Sequence, residues 1–523
     1  MRKRIFALLC AGAMLLSGCG SNDGSGSKVD REFTEYPMKD VEKMTYWLAM
    51  NANMGLVVSN PGETEFAKEL AKRTGVEIEY IDPGTAGEED LKGRIASGDL
   101  PDMIEYGWTS FNGGPQKNMD EGLILDLTEL IEEHAPNFKK YLEENPDVDK
   151  MIKTTDGRYY CFPFIRGDKR LLISAGPLYR RDWAKEVGLE APKTVADIET
   201  VLKAYKDRGV KKPLSLTAGG VVSFLGNFGT SADFYYADKK VVFGPTTDAY
   251  KYALETYAKW YEEGLLDKNF ISIDDATIKA QVLNGDTGMA FASGGGGLGT
   301  WLDTKEALNE PFDMVGFTYT GLKEGEATAY HRFDSKYPGY GSVAITSACK
   351  DPIAAVRYLD YGYSEEGHNL YNFGIEGVSY EVKDGECIFT DLINKNPNGW
   401  TQASAMAMYL RSSTQGPFVQ DKGYIDQFYG RPNQQETLDA WIADYDEVID
   451  SNLPPYSFTV DENTEFSELM YDINEYVSAE RVKFITGERS FDEWDDYVAE
   501  VNEIGAKRAT KLVKTACDRY NKN

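Results

Sequence analysis

The stretch MTYWLAM, residues 44–50, is an apolar run that predicts a buried β-strand. It is followed by an amphipathic helical pattern that ends at Gly75, and then by an alternating strand at residues 76–81. A second helical pattern at residues 88–97 leads to a third strand at residues 103–106. Strands and helices in this order predict a parallel sheet with right-handed crossovers. We therefore expect an α/β lobe in the first part of the chain.

A second α/β pattern occupies about residues 170–310. The capping box Thr194-x-x-Asp197 predicts the start of an amphipathic helix in this region. The two patterns are joined by an extended segment near Pro163, so the sequence predicts two lobes. Ligands of such sheets bind beyond the carboxyl ends of the strands.

The N-terminal residues have the features of a secretory signal. The basic head Arg2-Lys3-Arg4 precedes an apolar run at residues 5–16, which is shorter than the ~20 residues that span a bilayer. The sequence Leu16-Ser17-Gly18-Cys19 resembles the bacterial lipobox, which implies that Cys19 receives a diacylglycerol; an ordinary secretory signal with a chance cysteine is the alternative. The Gly/Ser-rich residues 20–27 predict a flexible tether. We expect the mature protein to be lipid-anchored on the outer face of the bacterial cytoplasmic membrane.

Length and charge limit the partners. Removing residues 1–18 from the 523-residue chain leaves 505 residues, enough for two or three lobes. The formal charge of −29 then becomes −32, because the removed segment carries three basic residues and no acid. Such a charge repels nucleic acid and anionic lipid headgroups. A solvated secreted surface explains most of the acidity.

The cysteines do not indicate a disulfide scaffold. A chain of this length builds its own cores without disulfides. Apart from Cys10 in the signal and Cys19 at the lipobox, four cysteines remain, and sequence alone does not decide among their three possible pairings or free thiols. These cysteines are Cys161, Cys349, Cys387 and Cys517.

The chain contains no recognisable catalytic or zinc motif. Its three histidines, His134, His331 and His368, have no metal-ligand spacing. Asp274-Asp275 and residues 492–496 are rich in the oxygen ligands that calcium prefers, but acidic runs are usually solvated faces. We therefore expect no cofactor.

Aromatic residues make up 12% of the chain, and many lie in Gly/Asn/Ser-rich stretches. Core packing explains most of them, and the remainder suits a pocket for a ring-shaped, hydroxyl-rich ligand. The glycine run at residues 294–299 matches G-x-G-x-x-G, but no convincing βαβ unit follows it. We interpret it as a loop whose backbone approaches a bulky ligand, with Trp301 behind it.

Five stretches in order resemble the large family-1 type extracellular solute-binding lipoproteins of carbohydrate ABC importers. They are Ser97-Gly-Asp-Leu-Pro-Asp102, Tyr179-Arg-Arg-Asp-Trp183, Tyr361-Gly-Tyr-Ser-Glu-Glu-Gly367, Asn372-Phe-Gly-Ile-Glu-Gly-Val-Ser-Tyr380 and Glu480-Arg-Val-Lys-Phe-Ile-Thr-Gly-Glu488. The resemblance implies a two-lobe, periplasmic-binding-protein-like (type II) α/β fold with a hinge and an interlobe ligand cleft. Cys161 stands where the family resemblance leads us to expect a small residue before the hinge.

The local patterns and the resemblance together give an expected division of the chain. The expected division is a signal peptide at 1–18, a tether at 19–43, lobe 1 at 44–165, lobe 2 at 166–312, a return to lobe 1 at 313–375, and completion of lobe 2 with C-terminal helices at 376–523.

Eight residues are predicted to bind the ligand by their positions at strand ends, at the crossing and in the later loops. For each aromatic residue the alternative is core packing, and for Arg166 it is an ion pair with Asp168. The eight are Asn53, Trp108, Arg166, Trp301, Tyr337, Tyr340, Tyr380 and Trp400.

Three functions remain open on this basis. The leading hypothesis is a monomeric receptor that captures an oligosaccharide and delivers it to an ABC permease without chemistry. The second is a surface glycosidase or polysaccharide lyase, whose paired carboxylates sequence cannot locate. The third is a sensor whose closed form signals to a membrane kinase.

Overall fold

A computed structural model describes residues 35–522 and places a four-stranded sheet in each of two lobes. Cys19 and the predicted signal lie outside the described residues. In this part of the chain, no helix is both long enough and apolar enough to cross a membrane.

The first lobe is built from the predicted β-α-β-α-β unit. Its sheet has the order β11-β3-β1-β2, in which β1, β2 and β3 are parallel and β11 is antiparallel to β3. Its elements are β1 (Met44–Trp47), α1 (Ala52–Gly55), α2 (Glu65–Thr74), β2 (Ile78–Ile81), α3 (Glu88–Ser97), β3 (Met103–Tyr106), α4 (Gly114–Asp120), α5 (Thr128–His134), α6 (Pro136–Glu144) and α7 (Pro146–Met151), with β11 (Ser342–Ile345), α14 (Pro352–Asp360) and α15 (Glu365–Phe373) later in the chain.

The short strand β4 (Ile165–Arg166) leads into the second lobe. The sheet there is mixed, with the order β10-β5-β9-β6 and with β5 antiparallel to both neighbours. The elements are β5 (Ala175–Arg180), α8 (Arg181–Glu186), α9 (Val195–Asp207), β6 (Leu214–Ser215), α10 (Ala218–Ser223), β7 (Phe234–Ala237), β8 (Lys240–Phe243), α11 (Asp248–Glu262), α12 (Asp275–Asn284), β9 (Met289–Ser293), α13 (Thr300–Ala307) and β10 (Met314–Gly316).

Most of the remaining elements complete the second lobe, in which the helices α21 (Val460–Thr486), α22 (Trp494–Ile504) and α23 (Ala506–Lys522) form a layer, with α21 packed on α11. They are β12 (Tyr380–Lys383), β13 (Glu386–Phe389), α16 (Asp391–Asn394), α17 (Gln402–Tyr409), β14 (Val419–Gln420), α18 (Lys422–Phe428), α19 (Pro432–Trp441), α20 (Tyr445–Val448), α21 (Val460–Thr486), α22 (Trp494–Ile504) and α23 (Ala506–Lys522).

Local signals place several of these elements. The predicted capping box at α9 is present, because the Thr194 side chain accepts from the Asp197 N–H and the Asp197 carboxylate accepts from the Thr194 N–H. Helix α2 ends at Gly75, which has a left-handed φ of 76°. There the chain runs so close to Met38 that a Cβ on Gly75 would lie 2.2 Å from the Met38 carbonyl oxygen.

Two predicted lobe boundaries are wrong. Strand β10 pairs with β5 in the second lobe, and Phe333 packs in the same lobe, whereas Tyr337 belongs to the first-lobe core. The chain therefore returns near residue 337, not at residue 313. Phe418 also lies in the first-lobe core, so the segment assigned wholly to lobe 2 after residue 376 touches lobe 1 again. Pairing between distant strands, which local patterns do not encode, decides both boundaries.

Among the described residues, three segments cross between the lobes side by side. Strand β4 pairs in parallel with β14, and the Ile165 N–H donates to the Phe418 carbonyl at 3.1 Å. On its other side, the Arg166 N–H donates to the Lys336 carbonyl at 2.8 Å. Gly167 is required at this crossing because a Cβ there would lie 2.7 Å from the Gln420 carbonyl oxygen. These segments provide the hinge.

The cysteines are free thiols in the described part of the chain. Cys161 lies buried beside the hinge, with its Sγ 3.8 Å from the Tyr337 hydroxyl. Burial raises the pKa of its thiol to about 12, so the thiol stays protonated and packs as a small apolar group.

Candidate functional site

A cleft of about 250 Å³ opens at the crossing segments, between the carboxyl end of β9 and the first-lobe side of the hinge. We call it the hinge cleft. It is lined by Phe164, Arg166, Arg170, Ser174, Ser293, Gly295, Gly296, Tyr340, Ser412, Ser413, Thr414, Gln415, Gln420, Tyr424, Phe428 and Tyr429, among others. The lining therefore combines aromatic rings with hydroxyls, amides and two guanidinium groups, drawn from every crossing segment.

Arg166 and Tyr340 are held together at the centre of the cleft. Arg166 Nη2 donates to the Tyr340 hydroxyl at 2.7 Å and lies 3.1 Å from Asp334 Oδ2. The Tyr340 ring is 37% exposed and stacks near Phe164, with the ring centroids 6.4 Å apart. An exposed ring fixed by a hydrogen bond offers a preorganised stacking surface.

The opposite wall consists of aromatic residues from α18 and the turn after it. The Tyr424 and Phe428 rings stack with centroids 5.8 Å apart. Tyr429, whose pKa burial raises to about 12, adds a neutral hydroxyl to this wall.

The glycine run forms a π-helix, Gly294–Gly299, that brings its backbone against this aromatic wall. A Cβ on Gly294 would lie 2.7 Å from the Tyr429 ring, and one on Gly295 would lie 2.9 Å from the Phe428 ring. At these two positions the bare backbone therefore approaches the chain's own rings, which differs from the predicted approach to a ligand. Gly296 is more open, since its nearest neighbour would be Ser293 Oγ at 3.6 Å.

An adjoining cavity of about 320 Å³ shares the loop at residues 337–340. It is lined by first-lobe residues such as Gln116 and Lys153 and by the segment before α21. Tyr337 lies here, and its hydroxyl is 2.6 Å from that of Tyr160. The hinge cleft is the better candidate site, because its lining includes the carboxyl end of a second-lobe strand and more of the polar groups that orient a ligand.

The structure brings only some of the predicted site residues together. Arg166 and Tyr340 line the hinge cleft, and Tyr337 lines the adjoining cavity. Asn53 and Trp400 are partly buried, and neither lines either cavity. Asn53 lies in α1, which packs against α17.

Three predicted ligand-binding aromatic residues are core residues. Trp108 is fully buried against Phe111 in the first lobe. Trp301 lies on the buried face of α13, and Tyr380 packs near Phe373 in the second lobe. The structure thus places these three rings in the lobe cores, because burial of a large ring in its own lobe outweighs its position near a strand end.

The predicted ion pair between Arg166 and Asp168 is not present. Its ion-pair partner is Asp334, whereas Asp168 accepts from the Arg170 N–H at 2.9 Å. Sequence reasoning missed Phe164, Tyr424, Phe428 and Tyr429. Phe164 had a usable signal, since it lies two residues before Arg166 on the same face of an extended segment.

The acidic stretches that are rich in oxygen ligands have local structural roles. Asp274 caps α12 by accepting from the Thr277 N–H at 2.8 Å. Asp492 lies in the short helical turn that leads into α22, and Asp495 and Asp496 lie in the first turn of α22. Within residues 35–522, no group of three or more His, Cys, Asp or Glu side chains is arranged to hold a metal ion.

Comparison with known proteins gives a family match over residues 59–369, to the family described as bacterial extracellular solute-binding protein. The fructooligosaccharide ABC transporter substrate-binding protein FusA of Streptococcus pneumoniae is 26% identical, over 99% of this chain and 98% of its own length. Lipoprotein LipO of Bacillus subtilis is 27% identical, over 79% of this chain and 80% of its own.

The alginate-binding protein AlgQ2, solved without calcium ion, superposes with a TM-score of 0.71 at 21% identity. The match covers 91% of this chain and 99% of that one. This similarity confirms the predicted two-lobe α/β fold.

Proposed function

Because the chain belongs to the bacterial extracellular solute-binding protein family, we propose that it captures an oligosaccharide in the hinge cleft and delivers it to an ABC permease. FusA, which aligns over nearly the whole chain, has this type of role according to its name. In this proposal the protein is a monomer, it uses no cofactor, and it does not change the sugar chemically.

The combination of aromatic rings and polar side chains around the hinge carries the proposal. A pyranose or furanose ring has apolar C–H faces, which pack on rings such as Tyr340 and Phe428. Its hydroxyls pair with hydroxyl and amide groups such as those of Ser412–Gln415. A missing or misplaced hydroxyl leaves a buried polar group unpaired, which gives specificity.

Hinge closure supplies the signal to the permease. The crossing segments are joined by backbone hydrogen bonds and a few side chains, and the lobes have separate cores. A ligand that contacts both walls stabilises the closed form by its differential affinity for that form.

The enzyme alternative loses its support, because the family and the relatives are binding proteins. In the sensor alternative, the same closed form would signal to a membrane kinase. A binding assay therefore does not distinguish the sensor role from the transport role. For location, the family is extracellular, and we propose that Cys19 carries the lipid anchor, as the lipoprotein name of LipO suggests.

Tyr340→Ala is expected to weaken oligosaccharide binding about tenfold, because the variant loses a stacking surface and the hydrogen bond that orients Arg166. Isothermal calorimetry with a panel of fructo-oligosaccharides and other glycans measures the effect. Tyr471→Ala is the matched control, since that tyrosine is 73% exposed on α21 and lines neither cavity.

Two results would contradict the proposal. One is a parent protein that binds no saccharide in the panel. The other is a Tyr340→Ala variant that binds as tightly as Tyr471→Ala.

A further inference from the structure

We propose that the hinge cleft selects neutral oligosaccharides over uronate-rich ones, because carboxylates of this chain already neutralise its arginines. The inference rests on the proposed function and specifies the class of sugar. It separates two ligand classes found among similar proteins, the neutral fructo-oligosaccharides of FusA and the polyuronate alginate of AlgQ2.

Arg166 presents little unpaired surface to an incoming carboxylate. Its Nη2 is shared between Asp334 and the Tyr340 hydroxyl, and its Nη1 donates to the Leu171 carbonyl. Its Nε has no hydrogen-bond partner, but it is buried and out of reach of an incoming ligand. The side chain as a whole is 13% exposed. It therefore acts in the cleft as one half of an ion pair.

All three nitrogens of the Arg170 guanidinium are hydrogen-bonded to side chains of this protein. Its Nε donates to Asp426 at 2.9 Å, its Nη1 donates to Asp439, and its Nη2 donates to Gln435 at 2.7 Å. Asp426 also lies 3.0 Å from Lys422 Nζ, so two cations face two carboxylates here and the cluster carries no surplus positive charge.

The adjoining cavity and the larger cavity beside it carry no surplus of positive charge. Lys153, the cation that lines the adjoining cavity, lies 2.6 Å from Asp149. A larger neighbouring cavity, which includes Arg332 and Lys336, is lined by four aspartates and only these two cations. Lys336 is itself paired with Asp147 at 2.7 Å.

A uronate in the hinge cleft would therefore lose its hydration without gaining an unpaired cation, and burying an unpaired charge is costly. The expected net charge of −32 adds long-range repulsion of polyanions. A neutral sugar meets neither obstacle, because its hydroxyls need only the donors and acceptors that the cleft supplies.

The test compares kestose with trigalacturonate by calorimetry on the unmodified protein, at low and at physiological salt. We expect kestose, as the neutral probe, to bind at least about tenfold more tightly, which is 1.4 kcal/mol. Trigalacturonate binding that equals or exceeds that of kestose would overturn the inference while leaving the proposed function in place. Failure of every neutral and acidic oligosaccharide to bind would overturn both.

A variant tests the cause. Asp334→Asn removes the carboxylate from Arg166 and should raise trigalacturonate affinity about tenfold, since a charge-assisted hydrogen bond becomes available. Asp120→Asn makes the same change in net charge at an arginine pair outside the cleft, with Arg158 at 2.8 Å, and should have no such effect. An equal rise in trigalacturonate affinity in both variants would show that the net charge of the protein, and not this ion pair, governs selectivity.

Discussion

Arg411→Met is expected to lower the free energy of unfolding by about 3–5 kcal/mol, because it leaves a buried carboxylate without its cation. Arg411 Nη2 lies 2.8 and 3.0 Å from the two carboxylate oxygens of Glu105 on β3, and both side chains are about 5% exposed. Burial alone would lower the pKa of the Arg411 guanidinium, but the Glu105 carboxylate raises it overall. The Arg411 guanidinium is therefore charged across the physiological range.

This ion pair also positions the candidate site. Arg411 Nε donates to Thr414 Oγ1 at 2.9 Å, and Arg411 Nη2 also donates to the Gln415 carbonyl. The turn at residues 412–415, which lines the hinge cleft, is thus anchored to a strand of the first lobe. We expect Arg411→Met to weaken oligosaccharide binding as well as stability.

Urea unfolding followed by tryptophan fluorescence and circular dichroism measures the stability loss. Arg508→Met is the control, because Arg508 pairs with Glu465 on the exposed surface and its loss should leave the unfolding midpoint unchanged. Adding Glu105→Gln to Arg411→Met should recover part of the loss, since the buried charge is removed while Tyr46 keeps its acceptor. A single variant as stable as the parent would show that the pair is not buried in solution.

Trp108→Ala is expected to destabilise the first lobe by about 3–5 kcal/mol while leaving sugar affinity nearly unchanged. The indole is fully buried, and its ring centroid lies 5.6 Å from that of Phe111. Its Nε1–H donates a long hydrogen bond of 3.4 Å to the Ile104 carbonyl. Removing it opens a cavity that the surrounding sheet and helices fill only in part.

Thermal unfolding and calorimetry, run on the same preparations, separate the two effects. Trp108→Phe keeps an aromatic ring and should lose clearly less stability than Trp108→Ala. A variant that unfolds at the parent temperature but no longer binds sugar would place Trp108 in the binding site and contradict its assignment to the core.

Parts of the site were predictable where a local pattern coincided with a crossing point. Arg166 was predicted from its position at the crossing and Tyr340 from its position in a later aromatic loop, and both line the cleft. Trp108 and Trp301 follow the same positional logic but point into the cores of their lobes. Nothing in the sequence distinguishes an aromatic ring that faces the cleft from one that faces the core, since both choices suit a residue near a strand end.

The sequence by itself determined the α/β character of both lobes, the parallel first-lobe strands and the helix ends, because strand alternation, capping boxes and C-terminal glycines act over a few residues. Only the tertiary structure decided which lobe contains β10, which carboxylates neutralise the arginines and which rings line the cleft. The cleft joins Phe164, Gly295, Tyr340, Thr414 and Phe428. These residues meet because three chain segments cross side by side, and the energetics of that crossing depend on pairings between residues far apart in sequence.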